Sequence, residues 1–152
     1  MSSIIALIEF EEGWCPEPYL CSEGYPTIGY GFKIGPKGAS ISQYQFEISQ
    51  SVGKQWLNEI LTELQEKAFS HSEIRAAVAA CNDARKAVLI SMAYQMGVSG
   101  LLQFKKALKA IADQRWSDAK TEMLDSRWVR QTQKRAVRHA NQILSGEWFG
   151  GY

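Results

Sequence analysis

The sequence predicts an α+β fold: one short helix, a small antiparallel sheet, and then helix almost to the end. Three observations lead there. Ile4, Ile5 and Ile8 recur at helical spacing ahead of Gly13. Ile28, Tyr30, Phe32 and Ile34 alternate with period two inside a stretch, residues 14–38, rich in glycine and proline. From Ser42 onward apolar residues recur every three or four positions.

Taken in order, Ser2 or Ser3 is placed to cap the first helix, which stops at Gly13. Glu23-Gly24 and Gly35-Pro36 are turn signals, and between and around them two or three strands fit. So small a sheet has to lean on helices. Ser42 with Gln45 and Ser70 with Glu73 form capping-box patterns, with Gly53 a point where the intervening helix bends or breaks. Asn82 or Asp83 starts the next helix, which holds Ala87, Val88, Leu89, Ile90 and Tyr94 and stops at Gly97. Leu101–Ala112 and Trp116–Leu124 read as short helices, and a last one near Lys134–Ser145 ends at Gly146, a C-cap glycine. A chain of 152 residues is one domain by length. The expected division is an N-terminal helix plus β-lobe over about 1–40 and a connecting helix plus helical lobe over about 41–152.

Composition narrows the classes of function. Hydrophobic residues at 45% and charged residues at 22% suit a soluble globular protein rather than a disordered or fibrous one. The apolar run Ile4–Ile8 is too short for a membrane span and lacks a basic flank, so the expectation is a chain without an export signal. Three cysteines do not make a disulfide framework. Charge is uneven: residues 1–100 carry 7 Lys+Arg against 11 Asp+Glu, and residues 101–152 carry 10 against 5. The basic C-terminal part is either a solvated helical face or a surface for an anionic polymer. His71 and His139 have no ligand-spaced partners, so no metal and no cofactor is expected.

One carboxylate stands out. At 100° per residue Glu12 lies about 40° from Ile8 and about 80° from Ile4, on the apolar side of the first helix. A partly desolvated carboxylic acid holds its proton longer, as a glycosidase needs if it is to protonate a leaving oxygen. Helix phase alone also allows the blander alternative, a glutamate paired with an arginine at a helix end.

The spacing of the next polar residues separates the two. Glu12 is followed after eight residues by Cys21, and Cys21 after five by Thr27, within Glu12-Gly13, Glu23-Gly24-Tyr25 and Thr27-Ile28-Gly29-Tyr30-Gly31. This pattern resembles the catalytic signature of the T-even phage lysozyme family, glycoside hydrolase family twenty-four, whose middle position is Asp or Cys. A second block is similar to the family's central helix: Asp83–Ile90 leading into Tyr94-Gln95-Met96-Gly97. Arg115-Trp116, Ser126-Arg127-Trp128, Gln131-Thr132 and Arg135-Ala136 follow in the family's order. The resemblance covers the chain apart from residues 33–80.

The resemblance implies a lysozyme-like fold and an endolysin hydrolysing the β-1,4 bond between N-acetylmuramic acid and N-acetylglucosamine, with inversion. It implies Glu12 as general acid, Thr27 as a hydroxyl holding the attacking water, and Cys21 as the residue at the Asp-or-Cys position. Tyr94 and Gln95 resemble residues lining the substrate cleft, and Arg135 the arginine that pairs with the catalytic glutamate. The implied partner is the peptidoglycan glycan strand, met by a monomer with no nucleic acid and no stable membrane insertion. The implied setting is the host cytoplasm, with release through a separate holin. Departures are Phe32, where the family often has His, and Ala107 and Glu122 at cleft positions that are Ser and Asn in a well-known member. With a thiol at position 21, a lytic transglycosylase remains the enzyme alternative. A basic helical binding module over residues 127–138 is the non-enzyme one. A thiol is mostly protonated at neutral pH unless its site is electropositive, and Glu17 and Glu23 argue against a strongly lowered value.

Overall fold

The computed structural model describes all 152 residues. It is α+β, with helices α1 (Ile4–Glu12), α2 (Gln50–Phe69), α3 (Ser72–Ala79), α4 (Asp83–Leu102), α5 (Lys105–Ala112), α6 (Trp116–Leu124), α7 (Arg127–Gln131) and α8 (Gln133–Ser145). Three strands, β1 (Cys15–Leu20), β2 (Pro26–Gly29) and β3 (Phe32–Lys33), lie between α1 and α2. The chain divides into two compact units, one made of Met1–Leu7 with Leu61–Tyr152 and the other of Ile8–Ile60.

Ser3 starts α1 as expected, its hydroxyl accepting from the Ala6 amide at 3.1 Å. In the Ile8–Ile60 unit the sheet runs β1-β2-β3, antiparallel throughout. The alternating Ile28, Tyr30, Phe32 and Ile34 are not one strand. The chain reverses at Tyr30-Gly31, so Ile28 pairs with Phe32 across a hairpin. The turn expected near Gly35-Pro36 also forms, the Ala39 amide donating to the Pro36 carbonyl at 3.1 Å, but the reversal between β2 and β3 lies upstream, where Gly29 and Gly31 both take positive φ. Beneath the sheet the aromatic rings form a chain of contacts. Trp14 meets Tyr30 at 4.9 Å between centroids, Tyr30 meets Phe32 at 6.2 Å, and Phe32 meets Trp56 at 4.6 Å.

The capping box at Ser42 does not form. Residues 41–43 make a single 3-10 turn, and the Gln45 side chain donates to the Ser42 carbonyl instead of closing a helix. Residues 44–49 stay irregular because the Ile48 amide bonds to the Pro16 carbonyl on β1 at 3.0 Å, a tertiary contact that outcompetes a helical turn. The helix begins only at Gln50. Gly53 neither bends nor breaks it: a Cβ there would fall 2.2 Å from the Trp14 ring, so its lack of a side chain makes room for the indole.

The other unit is a helical core. Ile74, Val88, Leu89, Met92, Leu101, Leu108, Ile111, Met123, Trp128 and Ile143 are buried together. Asn82 caps α4 by accepting from the Arg85 amide at 3.0 Å. Ser70 does not cap α3, because its hydroxyl turns back to the Lys67 carbonyl at 2.7 Å and His71 takes the N-cap position. At Gly97 the helix breaks as expected, then resumes through Leu102. Gly146 ends α8 in the left-handed conformation, also as expected. The Arg85 guanidinium closes that end by donating to the Ile143 and Leu144 carbonyls, and it stacks 3.8 Å from the Trp116 ring. The short helix α7 had no signal of its own in the sequence.

Candidate active site

Glu12 is the last residue of α1 and is partly buried. Gly13, at φ +70°, turns the chain out of the helix there. The hairpin backbone at Gly31 comes close to the Glu12 carboxyl. A Cβ on Gly31 would lie 2.7 Å from Oε2 and 3.3 Å from Cδ, so only glycine leaves the carboxyl in place. The family motif thus joins two distant positions for a steric reason: the acid on the helix and the glycine on the turn occupy neighbouring space.

Thr27 and Cys21 also come together. Thr27 is buried on β2, directly opposite Tyr19 of β1. Cys21 follows β1, its amide donating to the Tyr25 carbonyl at 3.0 Å while its own carbonyl accepts from Gly24 at 2.9 Å. Tyr19 and Thr27, paired directly across the ladder, share one face of the sheet. The Thr27 hydroxyl has one hydrogen, which can go to the Tyr25 carbonyl at 2.8 Å or to the Cys21 sulfur. Its lone pairs are thereby left to accept, from a water or from the Cys21 S–H. A water held by its hydrogens on Thr27 presents an oxygen lone pair, as a nucleophile must.

The Cys21 thiol lies below its ordinary pKa, a direction its acidic neighbours do not explain. Burial pulls its pKa up and the Glu23 charge pulls the same way. Hydrogen bonds to the sulfur from the Tyr25 and Glu23 backbone and the Thr27 side chain outweigh both and bring the thiol below its ordinary value. Neighbouring charge was visible in the sequence; the donors, supplied by the turn at 21–25, were not. Cys81 is the contrast. Burial pushes its thiol up to about 11, against the opposing pull of Arg85, and its sulfur donates to the Ala77 carbonyl. Tyr19 is a residue the sequence reading missed: its hydroxyl lies within the fields of Glu12, Cys15 and Cys21.

Tyr94, Gln95 and Arg135 belong to the helical unit. Tyr94 is partly buried on α4. The Gln95 amide is oriented within its own unit, accepting from Trp128 Nε1 at 2.9 Å and donating to Thr132 Oγ1 at 3.3 Å. One N–H of that amide remains for another acceptor. Arg135 is buried on α8, where Nη2 donates to the Ser91 hydroxyl at 2.8 Å. The same hydroxyl lies 2.7 Å from His139 Nε2, and both Ser91 and His139 are fully buried. His139, an isolated histidine in the sequence, is thus part of a polar network that holds Arg135. Ala107 and Glu122 line an open cavity of about 740 Å³ in this unit, together with Met96, Phe104, Lys106 and Trp128. No three His, Cys, Asp or Glu side chains converge as a metal site would require.

Residues 9–141 match the model of the phage lysozyme family, including the stretch 33–80 that the motifs left uncovered. The chain belongs to that family. Two probable T4-type lysozymes of Dictyostelium discoideum are each 31% identical over 163 residues, covering 96% of this chain and 96% of theirs. The pre-baseplate central spike protein Gp5 of Enterobacteria phage T4 is 31% identical over 160 residues, covering 95% of this chain but 28% of its own length. The fold is lysozyme-like, and the activity that goes with membership is that of a lysozyme: hydrolysis of peptidoglycan.

Proposed function

We propose that this lysozyme-family chain is a muramidase that cuts the β-1,4 bond between N-acetylmuramic acid and N-acetylglucosamine, with inversion, and serves as an endolysin. Glu12 protonates the glycosidic oxygen. Thr27 and Cys21 orient the attacking water, Tyr94 and Gln95 hold the sugar, and Arg135 serves the catalytic acid. The observation that carries the reading is the Glu12 carboxyl seated against the bare Gly31 backbone, in the same unit as the paired Cys21 and Thr27. The enzyme acts as a monomer on glycan strands, with neither nucleic acid nor membrane insertion. It accumulates in the host cytoplasm and meets the wall once a separate holin has opened the membrane.

Mass spectrometry of digested peptidoglycan tests the reaction. Fragments ending in reducing N-acetylmuramic acid are expected. Anhydro ends would replace hydrolysis by transglycosylation, and an intact polymer would remove the enzyme reading altogether.

Cys21 supplies a separate expectation. A thiol near the proposed water positions it but is a weaker base than a carboxylate, so most of the rate rests on Glu12. Cys21→Ser is expected to keep lysis within about tenfold of the parent, and Cys21→Asp to equal or exceed it. A total loss in both variants would make the sulfur indispensable and overturn this division of labour.

A further inference from the structure

Tyr30 is buried one residue before Gly31, and α1, the hairpin and α2 meet at its phenol oxygen. The hydroxyl donates to Glu9 Oε1 on α1 at 2.9 Å, as it must toward a carboxylate, which only accepts. The same oxygen accepts from Gln50 Nε2, at the start of α2, at 3.1 Å. Lys54, one turn further along α2, reaches Glu9 Oε1 at 3.3 Å. The ring is already held between Trp14 and Phe32, and phenylalanine would fill that space as well, so packing does not account for the hydroxyl. A buried O–H supplied with both an acceptor and a donor fixes direction rather than volume. Glu9 and Glu12 are three residues apart on α1 and so share a side of that helix. The hairpin that the Glu9–Tyr30 bond ties down is the one whose Gly31 backbone stands against the Glu12 carboxyl. All of these groups lie within the Ile8–Ile60 unit.

We propose that Tyr30 is a positioning residue for hydrolysis, its hydroxyl bond to Glu9 holding the hairpin tip where Gly31 keeps the Glu12 carboxyl in its reactive orientation. The proposal rests on the muramidase reading, in which Glu12 is the acid. With the tip held, the Gly31 backbone closes one side of the carboxyl, and the acid has fewer orientations in which to miss the glycosidic oxygen. Without the bond the rings still pack and the sheet still forms, but the tip is held to α1 by apolar contacts that have no preferred direction. Tyr30 acts through Gly31 and Glu12, so binding of the glycan does not draw on its hydroxyl.

The test is Tyr30→Phe, which keeps the ring and removes the bond to Glu9. It is expected to lower kcat about tenfold, with KM within about twofold of the parent. Added to Gly31→Ala, where the contact with the acid is already displaced, it should lower kcat by no more than about twofold further. Glu9→Ala should lose as much as Tyr30→Phe. Glu9→Gln keeps an acceptor and gives up only the half-exposed ion pair with Lys54, so it should recover most of that loss. Amide hydrogen exchange across residues 29–32, which needs no turnover, should quicken in Tyr30→Phe and Glu9→Ala but not in Glu9→Gln. A role in stability alone predicts a lower melting temperature with kcat unchanged, and that result would overturn the inference. So would a raised KM at constant kcat, a loss that multiplies in full with that of Gly31→Ala, or equal losses in Glu9→Gln and Glu9→Ala. Should Tyr30→Phe not fold, the two Glu9 variants give the same decision. A fully active Tyr30→Phe beside an inactive Glu12→Gln sinks the proposal alone, whereas an active Glu12→Gln sinks the muramidase reading and the proposal with it.

Discussion

Glu12→Gln is expected to reduce peptidoglycan hydrolysis by about three orders of magnitude, in a protein that still folds cooperatively. The amide has nearly the shape of the acid, so it can occupy the space beside Gly31 without moving the hairpin. What it lacks is a proton to deliver. Departure of a sugar oxygen without one produces an alkoxide, and positioned general acids remove about 10²–10⁴-fold of such a barrier. The remaining residues can still bind glycan and hold water, so KM should change far less than kcat. Turbidity loss of purified walls gives the rate, and thermal melting checks the fold. A variant keeping more than about a tenth of the parent rate would end the assignment of Glu12 as general acid, given the size of the effect that role requires.

How far the sequence leads to this site can be judged from particular residues. Helix phase placed Glu12 at the apolar edge of α1, and the cap at Ser3 and the stop at Gly13 follow local rules that the structure obeys. Period-two alternation correctly announced a sheet but not where it reverses, because Ile28, Tyr30, Phe32 and Ile34 keep the same alternation whether the strand is straight or folded back. The reversal is decided by backbone angles at Gly29 and Gly31, which the turn signals at Glu23-Gly24 and Gly35-Pro36 do not reveal. The helix expected from Ser42 failed for a different reason. Its local signal was sound, but the Ile48 amide found a partner on β1, and no window of sequence contains both ends of that bond. That Tyr19 faces Thr27 was invisible for the same cause, since it depends on register. The lowered Cys21 thiol also depends on donors brought by a turn, not by neighbours in sequence charge.

Gly31→Ala separates activity from stability at the turn that the acid depends on. Gly31 has φ +78°, a conformation that costs an L-residue roughly 1–2 kcal/mol. For a chain of this size that corresponds to a melting shift of about 2–8 °C, so the variant remains folded at assay temperature. The added methyl would also stand 2.7 Å from Glu12 Oε2 and 3.3 Å from Cδ, closer than nonbonded atoms tolerate. The carboxyl has to swing away, and displacement of a reacting group by about 1 Å can cost about a hundredfold in rate. Gly29→Ala provides the control. Its φ is +68° and its Cβ would strike the Phe32 ring at 2.6 Å, so it carries comparable backbone strain while pushing on the aromatic cluster and not on the acid. The expected result is a pair of variants with similar melting temperatures, of which only Gly31→Ala loses most of its hydrolysis. Equal activity in the two would mean that the approach of the hairpin to Glu12 has no bearing on catalysis. Equal loss in the two would assign the effect to the turn as a whole. The steric pairing of an acid on α1 with a bare backbone position on the hairpin predicts neither.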